Sequence, residues 1–163
     1  MVPSKNREDS HSGIPVGVLS RLFFYGMLGF FTEVSFTALW YILDNSYNYG
    51  WTLHGCTSLW SFPIYGLSML VVEKIFLTLD TKIPLVLRGL VYLVWTYVWE
   101  FSTGYVLRLL GACPWDYKEY TRYHFMGLIT FDYAPLWYVG SIVLETIVIR
   151  RMLQLQYQKV KSS

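Results

Sequence analysis

VGVLSRLFFYGMLGFFTEVSFTALWYIL, residues 16–43, holds only two charged side chains, Arg21 and Glu33, in twenty-eight positions. That exceeds the roughly 20 apolar residues that carry an α-helix across a bilayer. Its apolar residues do not alternate as those of a transmembrane barrel strand do. It also lacks the short apolar stretch and small-residue cleavage site of a signal peptide, so it reads as an uncleaved first span. Three more such runs follow at 58–79, 84–110 and 134–152. The chain is 54% hydrophobic, 19% aromatic and only 15% charged, against about 25% charged in an ordinary soluble domain. The expectation is an all-α membrane protein with one domain over 19–152 and four transmembrane helices, at about 19–43, 58–79, 84–110 and 133–152.

The polar stretch 1–18 is expected to be a disordered cytosolic tail, and 153–163 a second cytosolic tail. Lysine and arginine placement sets the orientation. Lys5, Arg7, Arg21, Lys74, Lys82, Arg88, Arg150, Arg151, Lys159 and Lys161 fall on one side, against Arg108, Lys118 and Arg122 on the other. Both termini and the short central loop are thus expected in the cytosol, and the loops near 44–57 and 111–133 on the exoplasmic side. Net charge is +2 without a basic cluster, so the expected partner is the lipid bilayer and not nucleic acid. Aromatic residues including Trp40, Tyr65, Trp115, Tyr117, Trp137 and Tyr138 gather toward the exoplasmic ends, as in an interfacial belt. Cys56 and Cys113 fall one in each exoplasmic loop, where oxidation is possible. A disulfide and two unpaired thiols both fit, because spacing alone does not bring their Cα atoms within ~7 Å.

Arg21 and Glu33 are twelve residues apart, and so are Arg88 and Glu100. Gly55, Pro63 and Glu73 recur as Gly127, Pro135 and Glu145 at the same spacings. The chain reads as two tandem copies of a two-helix unit, R-x11-E…G-x7-P-x9-E. The Arg/Glu pair recurs after 67 residues and the Gly/Pro/Glu set after 72, which places a five-residue insertion in the second exoplasmic loop. Units that each cross twice keep one orientation, the arrangement of parallel repeats about an axis along the membrane normal. Pro63 and Pro135 fall near the starts of their helices, where a missing N–H costs nothing.

Each of the four expected helices carries one glutamate, at roughly 2.5–3.5 kcal/mol apiece at a helix centre. At 1.5 Å rise per residue, Glu33 and Glu100 lie roughly 18 Å inward of the arginines, near the midplane. Glu73 and Glu145 lie nearer the cytosol, so Arg21, Arg88, Glu73 and Glu145 are expected to form one structural ion-pair cluster. Glu33 and Glu100 lack such partners and are the candidate intramembrane polar site. Gly26, Gly29, Glu33 and Thr37 line one helix stripe, and Thr96, Glu100, Gly104 and Arg108 line another. Small and polar stripes let membrane helices approach and hydrogen-bond.

There is no nucleophile elbow, HExxH, Walker A motif, dinucleotide fingerprint or CxxC. No catalytic residue, cofactor or metal is expected, and transport would not be powered by the chain's own nucleotide hydrolysis. His54 and His124, near Asp116, Glu119 and Asp132, lack the i, i+3/i+4 pairing of a built metal site. The terminal KVKSS fits a lysine-x-lysine-x-x retrieval signal, favouring the endoplasmic reticulum over the plasma membrane.

The strings GFFTEVSFTALW (29–40), TSLWSFPIYGLSMLVVEK (57–74), LVWTYVWEFSTGYVLR (93–108), ACPWDY (112–117) and FMGLITFDYAPLWYVGSIVLE (125–145) carry a resemblance. Over residues 20–151 the chain resembles the transmembrane protein 229 family, most closely its B-type members, which is related to bacterial CmpB-like proteins labelled ABC-transporter type IV permeases. The resemblance implies a multi-pass protein with Glu33, Glu73, Glu100, Trp115, Asp116, Tyr117, Gly127 and Glu145 at motif positions. Cys113 belongs to the CPWDY string, whereas Cys56 matches no family cysteine. Asp116 is expected to cap a turn through an Asx-type bond, or else to meet a substrate. The function expected is permease-like transport of a small solute, ion or proton. Four helices enclose little volume, so a homo-oligomer or a partner membrane subunit is implied. The rival is a membrane interaction protein whose glutamates hold helices or a partner, with a lipid-acting enzyme third.

Overall fold

The computed structural model describes residues 14–43 and 50–157. Most of the expected N-terminal tail and the KVKSS signal lie outside the described residues, as does 44–49 of the first loop. The described chain is mostly helical. Helix α1 (Val18–Leu43) is followed by α2 (Ser61–Leu79) and α3 (Leu85–Leu109). A last rod joins α4 (Ala134–Val143), a π-helical stretch (Leu144–Ile149) and α5 (Arg150–Gln154). Pro84 caps α3 in an extended conformation, and Pro135 occupies the first turn of α4. Proline fits both places because no helical partner awaits its nitrogen.

Of the four expected spans, two helices meet the test of length and apolarity for crossing a bilayer, α1 and α2. Helix α3 has spanning length but carries Arg88, Glu100 and Arg108. The regular part of the last rod is only ten residues long before it loosens into the π-helix. The second helix starts at Ser61, not near residue 58. Large apolar side chains such as Leu19, Phe31, Leu39, Leu59, Val94 and Leu109 are exposed. A surface of this kind is foreign to a soluble monomer and suits contact with lipid.

The packing of α1 on α2 follows from small residues. A Cβ on Gly26 would come within 2.7 Å of the Phe62 ring, and one on Gly29 would collide with Tyr65. A Cβ on Gly66 would lie 2.9 Å from Leu22 Cδ1. The matching contact between α3 and α4 has the sizes exchanged: a Cβ on Gly89 would lie 2.6 Å from Tyr138 Cε2. Gly89 stands 67 residues after Leu22, and Tyr138 stands 72 after Gly66. Close approach at this level therefore needs one small partner, and either helix can supply it. Tyr138, assigned by sequence to the exoplasmic belt, instead reaches back along α3 and donates to the Val86 carbonyl (3.1 Å).

Between the two helical pairs lies a core of Tyr25, Met69, Val72, Phe76, Tyr92 and Ile149. Trp95 and Trp99 of α3 stack and donate to Ser68 Oγ and the Ile64 carbonyl of α2, each at 3.0 Å. Strand β1 (Ile14–Pro15) pairs antiparallel with β4 (Gln156–Tyr157), Ile14 opposite Tyr157. Segments assigned by sequence to the two tails thus meet each other next to the first turn of α1. A hairpin, β2 (His124–Phe125) with β3 (Ile129–Thr130), folds the second long loop back on itself.

The exchanged sizes make a double-mutant test. Gly66→Tyr alone is expected to destabilise the protein, and adding Leu22→Gly to recover part of the loss with a coupling of about 1–3 kcal/mol, the Leu22 carbonyl oxygen 3.0 Å from the new Cβ remaining in place. Unfolding in mixed micelles measures it, and additive losses would show that the two contacts are not equivalent.

Candidate functional site

The glutamates fall into two environments. In the first helical pair, the Tyr25 hydroxyl donates to Glu73 Oε2 at 2.6 Å, and Arg21 Nε stands 3.2 Å from the same oxygen as an ion pair. Arg21 also donates to the Val16 carbonyl (2.9 Å). In the second pair, the Tyr92 hydroxyl donates to Glu145 Oε2 at 2.6 Å. Arg88 donates to both Glu145 oxygens at 2.8 and 2.6 Å, and to the Ile83 carbonyl at 2.7 Å. Arg88, Tyr92 and Ile83 stand 67 residues after Arg21, Tyr25 and Val16, while Glu145 stands 72 after Glu73. Each contact of one knot recurs in the other.

The sequence expectation of a single four-residue cluster is corrected. Arg21–Glu73 and Arg88–Glu145 are separate knots with the apolar core between them. The second knot is larger. Asp80, at the end of α2, pairs with Arg88 (3.0 Å) and Arg150 (2.7 Å), and Arg150 reaches Glu145 Oε1 at 3.1 Å. Residues five apart in an α-helix point about 140° away from each other. The π-helix closes i→i+5, Arg150 N–H to the Glu145 carbonyl, and so turns both side chains to one face. Glu145 is 0% exposed. Such a buried charge is tolerable only because every lone-pair direction meets a donor.

Glu33 and Glu100 are held differently. Sequence left them without partners, but each meets a tyrosine. The Tyr65 hydroxyl of α2 lies within electrostatic reach of Glu33, Glu100 and Tyr117. The Tyr117 hydroxyl donates to Glu100 Oε1 at 3.1 Å. Glu100 Oε2 is buried without a hydrogen-bond partner. Tyr65 and Tyr117 are both expected in the exoplasmic belt; Tyr65 does stay exposed, whereas Tyr117 turns its hydroxyl inward to Glu100. Burial, with the Glu100 charge beside it, lifts the Tyr117 phenol above its ordinary range, so Tyr117 stays a neutral donor.

The long second loop delivers Tyr117. Asp116 Oδ1 accepts from Lys118 N (3.1 Å), an Asx turn that opens a short 3₁₀ turn over Tyr117–Glu119. Asp116 also faces Arg108 at 3.5 Å. Tyr117 N donates to the Gly127 carbonyl (2.9 Å), and Trp115 Nε1 to that of Leu128 (3.1 Å). Gly127 has φ +69°, and a Cβ there would strike Asp116 Oδ1. The motif residues Trp115, Asp116, Tyr117 and Gly127 therefore build one clasp. It covers the α3 stripe: Gly104 makes room for Trp115 and Leu128, and Arg108 donates to the Met126 carbonyl (2.5 Å). Sequence assigned that stripe to a helix–helix interface, whereas its upper part carries a loop. The α1 stripe does face α2 and its approach, with Thr37 bonded to both N and O of Cys56 at 2.9 Å.

Tyr133, at the start of α4, packs edge-on against Phe36, Trp40, Tyr117 and Trp137 with centroids 6.1–6.4 Å away. It thereby links α1 to the loop above Glu100. Cys56 and Cys113 are free thiols, so no disulfide joins the two long loops. Cys113 leans on the Trp115 carbonyl (3.3 Å) and Cys56 on the Tyr41 hydroxyl (3.2 Å). Tyr25, Tyr92, Asp80 and Arg150 were missed as site residues. The R-x3-Y spacing, present in both copies, was a usable signal for the tyrosines.

A family model described as "Putative ABC-transporter type IV" matches residues 21–162. No solved structure matches the chain.

Removing Glu145 leaves the buried Arg88 with Asp80 as its remaining carboxylate partner. Glu145→Ala is expected to cost about 3–5 kcal/mol, and Arg88→Leu with Glu145→Leu to recover most of it. Glu73→Ala should cost less, because fewer groups lose a partner. Unfolding in mixed micelles ranks the three, and equal losses for Glu73 and Glu145 would contradict this ordering.

Proposed function

The chain belongs to this family of ABC-transporter type IV membrane proteins, and from that premise we propose that it is a permease-like protein moving a small solute, ion or proton without an ATPase of its own. Within the family we place it nearest the B-type members of the transmembrane protein 229 group. It crosses the bilayer four times as a tandem duplication of a two-helix unit, with both termini cytosolic. The recurrence of the Arg–Tyr–Glu knot at constant offsets supports the duplication. The exchanged Leu22/Gly66 and Gly89/Tyr138 contacts support it independently.

The observation that carries the transport reading is the contrast between the two tiers of glutamate. Glu73 and Glu145 are neutralised by arginines. Among the described residues Glu33 and Glu100 lie beside tyrosines and no arginine or lysine, and Glu100 keeps one oxygen unpartnered. A carboxylate in a membrane interior without a counter-charge is a functional position by default, because helix packing does not require it. The protein works as a homo-oligomer or with a partner membrane subunit, resides in the endoplasmic reticulum, and performs no bond chemistry.

The Glu33–Tyr65 contact and the Glu100–Tyr117 bond also favour a second reading, an assembly protein whose carboxylates hold elements together. Polar bonds between packed elements contribute about 0.6–2 kcal/mol each in membranes. Glu33→Gln with Glu100→Gln separates the two. Transport predicts a folded protein whose proton- or cation-coupled flux in reconstituted vesicles is abolished. Unchanged flux in that double variant, or no flux in the unsubstituted protein, would sink the transport reading.

A further inference from the structure

The two helical pairs differ at their glutamates. Trp137 stands 72 residues after Tyr65, in the position from which Tyr65 faces Glu33 in the first pair. Its indole N–H is buried and has no hydrogen-bond partner. The Tyr97 hydroxyl is likewise buried and unpartnered, three residues before Glu100 on α3 and within electrostatic reach of its carboxylate. Glu100 Oε2 is another such atom, and Arg21 Nε, ion-paired with Glu73 in the first knot, is the fourth among the described residues. Trp137 packs on Tyr133 and Tyr133 on Tyr117, each at 6.1 Å, with Tyr117 bonded to Glu100, while the Tyr97 ring packs on Phe131 at 5.4 Å. Buried polar atoms are almost always paired, so three orphans on neighbouring side chains point to a guest.

The orphans also specify the guest. Oε2 of a carboxylate accepts, an indole N–H only donates, and a phenol does either. A bare cation would suit Glu100 and the Tyr97 oxygen but would face the positive hydrogen of Trp137. An anion would suit Trp137 and be repelled by Glu100. A molecule offering a donor and an acceptor a few ångströms apart satisfies all three. We propose that Tyr97, Glu100 and Trp137 form a binding site, roofed by Tyr117 and Tyr133, for a small uncharged solute of the hydroxyl or amide type. This rests on the transport reading and sharpens it, placing the solute on the second pair's glutamate instead of between the two carboxylates.

The full chain in lipid nanodiscs, titrated with glycerol and with acetamide and read by saturation-transfer NMR, tests the site. At least one of the two probes should bind, and sodium or potassium chloride should not displace it. Trp137→Phe and Tyr97→Phe keep the ring shapes and should each raise the dissociation constant about tenfold, as expected for one lost hydrogen bond. Trp95→Phe, which loses an indole bond to Ser68 elsewhere on α3, should leave binding unchanged. The site is overturned if neither probe binds, if sodium or potassium competes, or if both phenylalanine variants bind like the unsubstituted protein. Solute binding without flux would remove transport and keep the site, and cation-coupled flux without solute binding would do the reverse.

Discussion

A buried carboxylate bonded at once to an arginine and a tyrosine from the preceding long helix holds each helical pair together. The hydroxyl–carboxylate distance is 2.6 Å in both pairs. In both, the arginine also ties down a backbone carbonyl five residues upstream, at 2.9 and 2.7 Å. Charge burial of this kind adds little net stability over an apolar core, but losing one partner is costly. What the knot supplies is register: it fixes how far α1 slides along α2 and α3 along α4. That register sets Gly66 against Leu22 and Gly89 against Tyr138, where a shift of one turn would drive side chains into backbone. It also sets Glu33 against Tyr65 on α2.

The knots are alike, but what surrounds them is not. The second gains Asp80 and Arg150, and a π-helix is needed to bring Arg150 round. π-helical turns are rare and recur at functional sites. Here one also interrupts the rod that the sequence reading assigns to a fourth span. At the other end of the pairs the asymmetry is greater. Glu33 lies beside a tyrosine on the adjacent helix, while Glu100 is capped by a tyrosine delivered on a folded loop. A loop clasp held by Asp116, Gly127 and Trp115 is easier to reposition than a helix, because its bonds are few and partly exposed. On the proposed transport reading, the arginine tier anchors and the tyrosine tier exchanges partners.

The apolar runs made the helices legible, and the spacing of Arg21, Glu33, Arg88 and Glu100 is the sequence basis for proposing a duplication. The division of the glutamates into two tiers followed from helix rise alone. Tyrosine roles were harder to read. Tyr65 and Tyr117 sit in sequence among Trp60 and Trp115, where an interfacial belt is the default, and only packing shows the Tyr117 hydroxyl turned inward. The loop covering Gly104 and Arg108 was invisible because long-range closure leaves no period in the sequence. The π-helix was hidden for a related reason: LETIVI has no glycine or proline to mark it, and the register shift answers to the ion pairs it completes. Asp80 was overlooked as a polar residue at a loop edge, although it joins α2 to two arginines.

The central claim is that Glu100 exchanges partners during function, whereas Glu73 and Glu145 never do. Difference infrared spectroscopy on the reconstituted protein, with isotope-labelled glutamate, observes the carboxyl groups directly. Imposing a pH or solute gradient is expected to produce a carboxyl band that disappears in Glu100→Gln and persists in Glu73→Gln. A carboxyl spectrum that stays silent under both gradients, or a band that survives Glu100→Gln, would contradict the account.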